Sequence, residues 1–352
     1  MQIATTVVRS LILFVFACSQ AAHCAPAPIS GAGSTAAGPV YLSWAKSYEA
    51  ATGIKLNYAS VGSSAGLAQI KARSVDFGAS DFALSSEESK KTGLLCFPTA
   101  VSGIVPVVNL PGIKSNELKL TGPVLALIFS RKITQWNDPA IEELNAGVKL
   151  PGMPITVVAR QDGSGSTFNF TDYLSKVSPQ WKSAYGVNSQ INWETGTVKV
   201  TGSTEVAAEI KRTPGAISYI EFAFVTRDKL IPVKVKNQSG AFVAASIAGF
   251  TAALAESTWR TKVTFDDTLT DKPGAGSWPI TMGTFVIIPQ VTNDPDKELA
   301  VLKFFTWSFV HGEEIVGDNA FIRLSDIVQA QVFRLFVQVK DSKGQALPLL
   351  VT

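Results

Sequence analysis

Val40, Trp44 and Tyr48 recur every fourth residue between Pro39 and Ala51, the spacing of one helix face, and Gly53 supplies a stop. Beyond it Ile54, Leu56 and Tyr58 alternate with polar or small residues, which predicts a strand. Gly62-Ser63-Ser64 precedes Leu67 and Ile70, so a capped helix is predicted from near Ser63. Val75 to Ala79 predicts a further short strand that closes at Ser80-Asp81. Helix, strand, helix, strand in this order predicts an α/β sheet whose strands are largely parallel.

The same patterns continue down the chain. Ile104 to Val108 reads as a buried strand, and Asp138-Pro139 as an N-cap and first position opening a helix through Leu144. Ile155 to Ala159 is a predicted strand that runs into Arg160. The turn Gly163-Ser164-Gly165-Ser166-Thr167 follows, then a helix carrying Phe168 and Leu174. Ser203 is predicted to cap a helix ending before Pro214-Gly215, and Ala216 to Phe224 to form a strand. Phe285 to Ile288 predicts a late strand and Leu302 to Val310 a late helix.

Composition narrows the class. The chain has 352 residues, 46% hydrophobic and 17% charged, which excludes a disordered chain and leaves room for two domains with their own cores. A formal charge of +3 with no basic stripe excludes nucleic acid as the expected partner. Three cysteines and two histidines exclude a Cys/His zinc site, and no cofactor is expected.

Residues 1–25 read as a signal peptide. Arg9 precedes the apolar run Leu11 to Ala17, and small residues continue to Ala25, with the cut expected between Ala21 and Ala25. The run is far shorter than the roughly 20 residues that span a bilayer. Val15-Phe16-Ala17-Cys18 matches a lipoprotein box poorly because Phe16 is bulky, so lipid attachment at Cys18 is not the expected outcome. Cleavage leaves Cys96 and His311 as the one cysteine and one histidine of a soluble, exported protein without an internal disulfide.

The chemistry concentrates in three Gly/Ser/Thr loops: Gly31-Ala32-Gly33-Ser34-Thr35, Gly62-Ser63-Ser64 and Gly163 to Thr167. Each is expected to lead into a helix, where free backbone N–H groups, a hydroxyl and the helix dipole together suit an anion. Capping alone also explains Ser and Thr at such places. Arg160, at a strand end beside the third loop, can fork onto two oxygens. Asp81 suits an anion site only if the ligand carries a proton. Gly31 to Ala36 loosely matches a dinucleotide fingerprint, but too few residues precede it for the strand that motif needs. Ser164 lacks the flanking glycines of a nucleophile elbow.

Taken in order, Gly-Ala-Gly-Ser-Thr (31–35), Gly-Ser-Ser (62–64), Val-Asp-Phe-Gly-Ala-Ser-Asp (75–81), Arg-x-Asp-Gly-Ser-Gly-Ser (160–166), Pro-Gly-Ala-Ile-Ser-Tyr-Ile-Glu (214–221) and Trp-Pro-Ile-Thr (278–281) resemble the phosphate-binding proteins of bacterial ABC importers. The stretch Arg131 to Pro151 looks like the same family. The resemblance implies a two-lobed periplasmic solute-binding protein fold of type II, α/β in both lobes, joined by a two-segment hinge. One lobe would comprise 26–100 and 283–352, the other 101–282. It implies inorganic phosphate as ligand, held by Thr35, the N–H of Ala36, Ser63, Asp81, Arg160, Ser164, Gly165 and Ser166, with Asp162 holding Arg160. It implies a monomer that serves a permease pair and its ATPase, with no catalysis and no metal. Two departures stand out: Ala36 replaces a frequent aromatic residue, and Ser166 a frequent threonine. A secreted phosphate-ester hydrolase using the same oxyanion cradle, and a binding protein for another tetrahedral oxyanion such as arsenate, remain the alternatives.

Overall fold

The computed structural model describes residues 27–262 and 264–349. The proposed leader, with Cys18 and Arg9, lies outside the described residues. Two α/β lobes share one ten-stranded mixed sheet. The strand that joins them, Leu94–Asn109, is 16 residues long and changes partner midway. Its first part, through Gly103, pairs antiparallel with Thr281–Pro289, and its second part, from Ile104, with Ala216–Glu221. Pro98 lacks an N–H for the ladder, and it sits where the register slips between Thr284 and Phe285. At the changeover Gly103 lies under the Phe250 ring, where a Cβ would come within 2.2 Å of it.

In the first lobe Ile29–Gly33 pairs parallel with both Leu56–Ser60 and Phe77–Ser80. Thr281–Pro289 then runs antiparallel to Phe77–Ser80, so the sheet is mixed rather than largely parallel. The predicted first helix forms as Gly38–Thr52 and stops at Gly53 in the left-handed conformation. It buries Val40, Tyr41, Trp44 and Tyr48, and Tyr41 meets Phe77 and Phe305 edge to face. Pro295–His311 covers the same core with Phe304 and Phe305, and each such buried ring stabilises by about 1.5–3 kcal/mol relative to exposure.

In the second lobe Thr156–Arg160 lies parallel between Ala216–Glu221 and Val198–Val200. Its core stacks Phe170 on Tyr219, with Phe129 and Trp193 beside them.

Four local expectations change. Gly31–Gly33 is strand, not loop, and the turn begins only after it. The helix Ser63–Lys71 is capped by Gly62 at φ 97°, a conformation that favours glycine, so the Ser63 hydroxyl is free for another partner. The strand Ala216–Glu221 stops three residues early because Phe222–Asp228 coils into a helix. Gly202–Arg212 starts one residue ahead of Ser203, which therefore lies inside the first turn and does not cap it.

Candidate functional site

The predicted site residues come from the carboxyl ends of strands in the two lobes, which run in opposite directions and end facing each other across the middle of Leu94–Asn109; the carboxyl ends of strands are the usual place for ligands in α/β sheets. Ile29–Gly33 delivers Ser34 and Thr35, Phe77–Ser80 delivers Asp81, and Thr156–Arg160 ends on Arg160. Leu56–Ser60 leads through Gly62 to Ser63. Ser164 caps Gly165–Val177, accepting from the Thr167 N–H at 3.3 Å, so the N–H groups of Gly165 and Ser166 open that helix without intrahelical acceptors.

Arg160 is 2% exposed and crosses the cleft. Its Nε donates to Asp162 at 2.6 Å and its Nη2 to the other oxygen of the same carboxylate. Nη1 reaches Thr35 Oγ1 of the first lobe at 3.3 Å and Ser203 Oγ at 3.1 Å. Burial works against the guanidinium charge, and the Asp162 carboxylate outweighs it, so the Arg160 pKa is raised and its charge is fixed. Burial also works against the Asp162 charge, yet Arg160 holds that carboxyl below its ordinary range.

Asp81 is equally buried. Its Oδ1 accepts from Ser34 Oγ at 2.6 Å, and Ser63 Oγ lies 3.4 Å from Oδ2 while accepting from the Asp81 N–H at 3.2 Å. Burial lifts its carboxyl from 3.8 to about 7, the Ser34 bond opposes the shift, and the Glu221 charge adds to it. The lobes touch at this point. Asn169 Nδ2 donates to the Asp81 carbonyl at 2.6 Å, the Ser64 N–H to the Gly163 carbonyl at 3.2 Å, and Phe82 stacks on Phe168 at 4.7 Å. Gly165 permits this approach: a Cβ there would fall 2.5 Å from Asp81 Cβ and 2.6 Å from Ser63 Oγ.

Thr35, Ser63, Asp81, Arg160, Asp162, Ser164, Gly165 and Ser166 are thus gathered around one cleft, and Ala36 is buried in the turn that follows Thr35. Three further residues belong to the network. Ser34 holds Asp81. Ser203 bridges Arg160, Thr35 and Glu221, with 2.9 Å to Thr35 Oγ1 and 3.0 Å to Glu221 Oε1. Glu221, fully buried, accepts from Ser166 Oγ as well. Glu221 stood in the Pro-Gly-Ala-Ile-Ser-Tyr-Ile-Glu stretch, inside a strand expected to run on to Phe224, and an acid in an otherwise apolar strand was its one sequence signal. Ser203 gave none, since a serine near a helix start is ordinary.

Such an arrangement can hold a small polyoxygen anion by one guanidinium, helix-start N–H groups and hydroxyls, and carboxylates beside it can accept hydrogens from the ligand. Among the described residues no group of three or more His, Cys, Asp and Glu is placed to hold a metal ion.

A PBP superfamily domain matches residues 19–310. A protein of Xylella fastidiosa (strain Temecula1), the phosphate-binding protein PstS, is 42% identical over 304 residues, which cover 86% of this chain and 83% of that one. The phosphate-binding protein PstS of Pasteurella multocida (strain Pm70) is 39% identical over 340 residues, 96% of this chain and 98% of its own. Among solved structures, a phosphate-binding protein from Stenotrophomonas maltophilia superposes with a TM-score of 0.69 at 20% identity, covering 92% of this chain and all of that one.

Proposed function

We propose, from the premise that this chain belongs to the PBP superfamily and, within it, to the PstS phosphate-binding proteins, that it binds inorganic phosphate between its lobes and delivers it to an ABC importer. The observation that carries the reading is the single buried network in which Arg160 of one lobe meets Thr35 of the other, beside Ser34 and Asp81. Thr35, Ser63, Arg160, Ser164 and Ser166, with the N–H groups of Ala36, Gly165 and Ser166, surround the anion. Asp162 holds Arg160, and Asp81 accepts a hydrogen from the ligand. The changeover of partner after Gly103, and the return of the chain at Thr281, support lobes of 26–100 with 283–352 and of 101–282.

The donors come from both lobes, so closing completes the cradle and parting dismantles it. The role is binding without turnover, as the names of its PstS relatives suggest. The protein works in the periplasm as a monomer, exported by residues 1–25, and presents the closed, loaded form to a permease pair and its ATPase. No helix of the described residues is long and apolar enough to cross a membrane.

Calorimetry with phosphate, arsenate and sulfate tests the reading, with phosphate bound and sulfate rejected. Arg160→Ala removes two or more charge-assisted bonds of about 1.5–3 kcal/mol each, so affinity falls at least about a hundredfold. Affinity within a factor of about two of the parent would remove Arg160 from the site.

A further inference from the structure

Ser203 has no part in the ligand set proposed above, yet it is 1% exposed and touches both lobes. Its one hydroxyl hydrogen goes to Glu221 Oε1 at 3.0 Å, an acceptor that Ser166 also uses. Ser203 Oγ keeps its lone pairs, and Arg160 Nη1 donates to it at 3.1 Å. Asp162 takes the Nε and Nη2 edge of the same guanidinium. Arg160 is therefore gripped on two sides within its own lobe, by Asp162 and by Ser203, and one Nη2 hydrogen stays uncommitted. The bridge then passes to the other lobe. Thr35 Oγ1 lies 3.3 Å from Arg160 Nη1 and 2.9 Å from Ser203 Oγ.

The place of this bridge in the fold gives it leverage. Counting outward from the crossover strand Leu94–Asn109, Leu56–Ser60 is the last strand of the first lobe and Val198–Val200 the last of the second. The turns after these two strands, together with Thr35 and Ser203, line one groove of about 590 Å³. Asp81 and Phe82 instead line a cavity with Gly283 and Phe285 of the strand Thr281–Pro289, next to the crossover. The Thr35–Ser203 contact thus lies on the side of the site remote from the crossover strands. Rotation of the lobes about those strands moves the remote side farthest, so a bond there is stretched first as the lobes part.

We infer that Ser203 is a positioning residue for phosphate: it fixes Arg160 Nη1 from inside the second lobe, clasps Thr35 of the first, and so slows release of the anion without touching it. This deepens the phosphate reading and rests on it. Ser203 acts through Arg160 and Thr35, so its effect depends on the Thr35 hydroxyl. A serine that only supported the start of Gly202–Arg212 would act independently of that hydroxyl.

The test is stopped-flow binding and release of inorganic phosphate by the parent, Ser203→Ala, Thr35→Val and the double variant. Ser203→Ala should release phosphate about tenfold faster, with association within about twofold of the parent. Thr35→Val also quickens release. In the double variant the acceleration should fall short of the product of the two by at least about threefold, because the second substitution finds the shared contact already gone. A smaller shortfall assigns Ser203 a role confined to its own lobe and overturns the inference, as does a Ser203→Ala protein that releases phosphate at the parent's rate. Ser203→Gly deletes the same hydroxyl at a helix start and takes the place of Ser203→Ala in the cycle should that variant not fold. A parent that binds no phosphate defeats the phosphate reading and this inference with it, whereas independent effects in a parent that binds defeat this inference alone.

Discussion

Replacing Asp81 with Asn should make the empty protein more stable and the loaded one less discriminating. Burial holds the Asp81 carboxyl at about 7, against 3.8 for the free group. A raised carboxyl pKa means that the folded state keeps a proton the unfolded state has released between those two values. Stability therefore falls as pH rises through that window, and the whole penalty is present above about pH 7. Three pKa units at 1.36 kcal/mol each set the penalty at roughly 4 kcal/mol, an upper figure because the empty cleft can open and hydrate. Asn removes the charge, keeps an oxygen for Ser34 and presents an amide to Ser63. At about 2 °C per kcal/mol for a chain of this length, ligand-free Asp81→Asn should melt about 5 °C above the parent at pH 8, and level with it near pH 4. Glu298 is likewise raised by burial, to about 8, but is common to both proteins and cancels in the difference. The companion assay is sulfate binding. A site that needs a hydrogen from its ligand rejects one lacking it by about 10⁴-fold, and Asn can donate where Asp81 only accepts, so the phosphate-over-sulfate ratio should collapse. An Asp81→Asn protein that melts at or below the parent at pH 8, and still rejects sulfate as strongly, would refute the claim that this buried carboxyl carries the selectivity.

Gly165→Ala should weaken phosphate binding at least about tenfold with little change in ligand-free melting, because its Cβ would strike Asp81 and Ser63 only when the lobes are shut; unchanged affinity in calorimetry would show that this helix start is not at the closing face. Phe82→Ala removes the stack that joins the lobes over the cleft, a contact of about 0.5–1.5 kcal/mol beyond its area, so stopped-flow phosphate release should quicken about tenfold with the association rate nearly unchanged. An unaltered release rate would place that ring pair outside the closing contacts.

The parts of this fold that were legible in the sequence are those whose burial is one-sided. Gly38–Thr52 shows its face at Val40, Trp44 and Tyr48 because the opposite face is wet. Leu94–Asn109 hides its first half, because it is buried on both faces, shows no alternation, and carries Pro98, Gly103 and Pro106 along its length. Ile29–Gly33 looks like a loop because its glycines are set by a distant contact: Gly31 lies against the Phe77 ring, where a Cβ would come within 2.1 Å. The same distinction divides the site. Arg160, Ser164 and Asp81 announce themselves by their own loops. Ser203 and Glu221 depend on what the second lobe packs against them, and Ser203 in particular passes for a helix cap until Gly202–Arg212 is seen to begin without it. That difference matters chemically, since the loops alone show one positive group and a set of N–H donors, while Ser203 and Glu221 supply the hydrogen bonds that fix Arg160 and Ser166 in place.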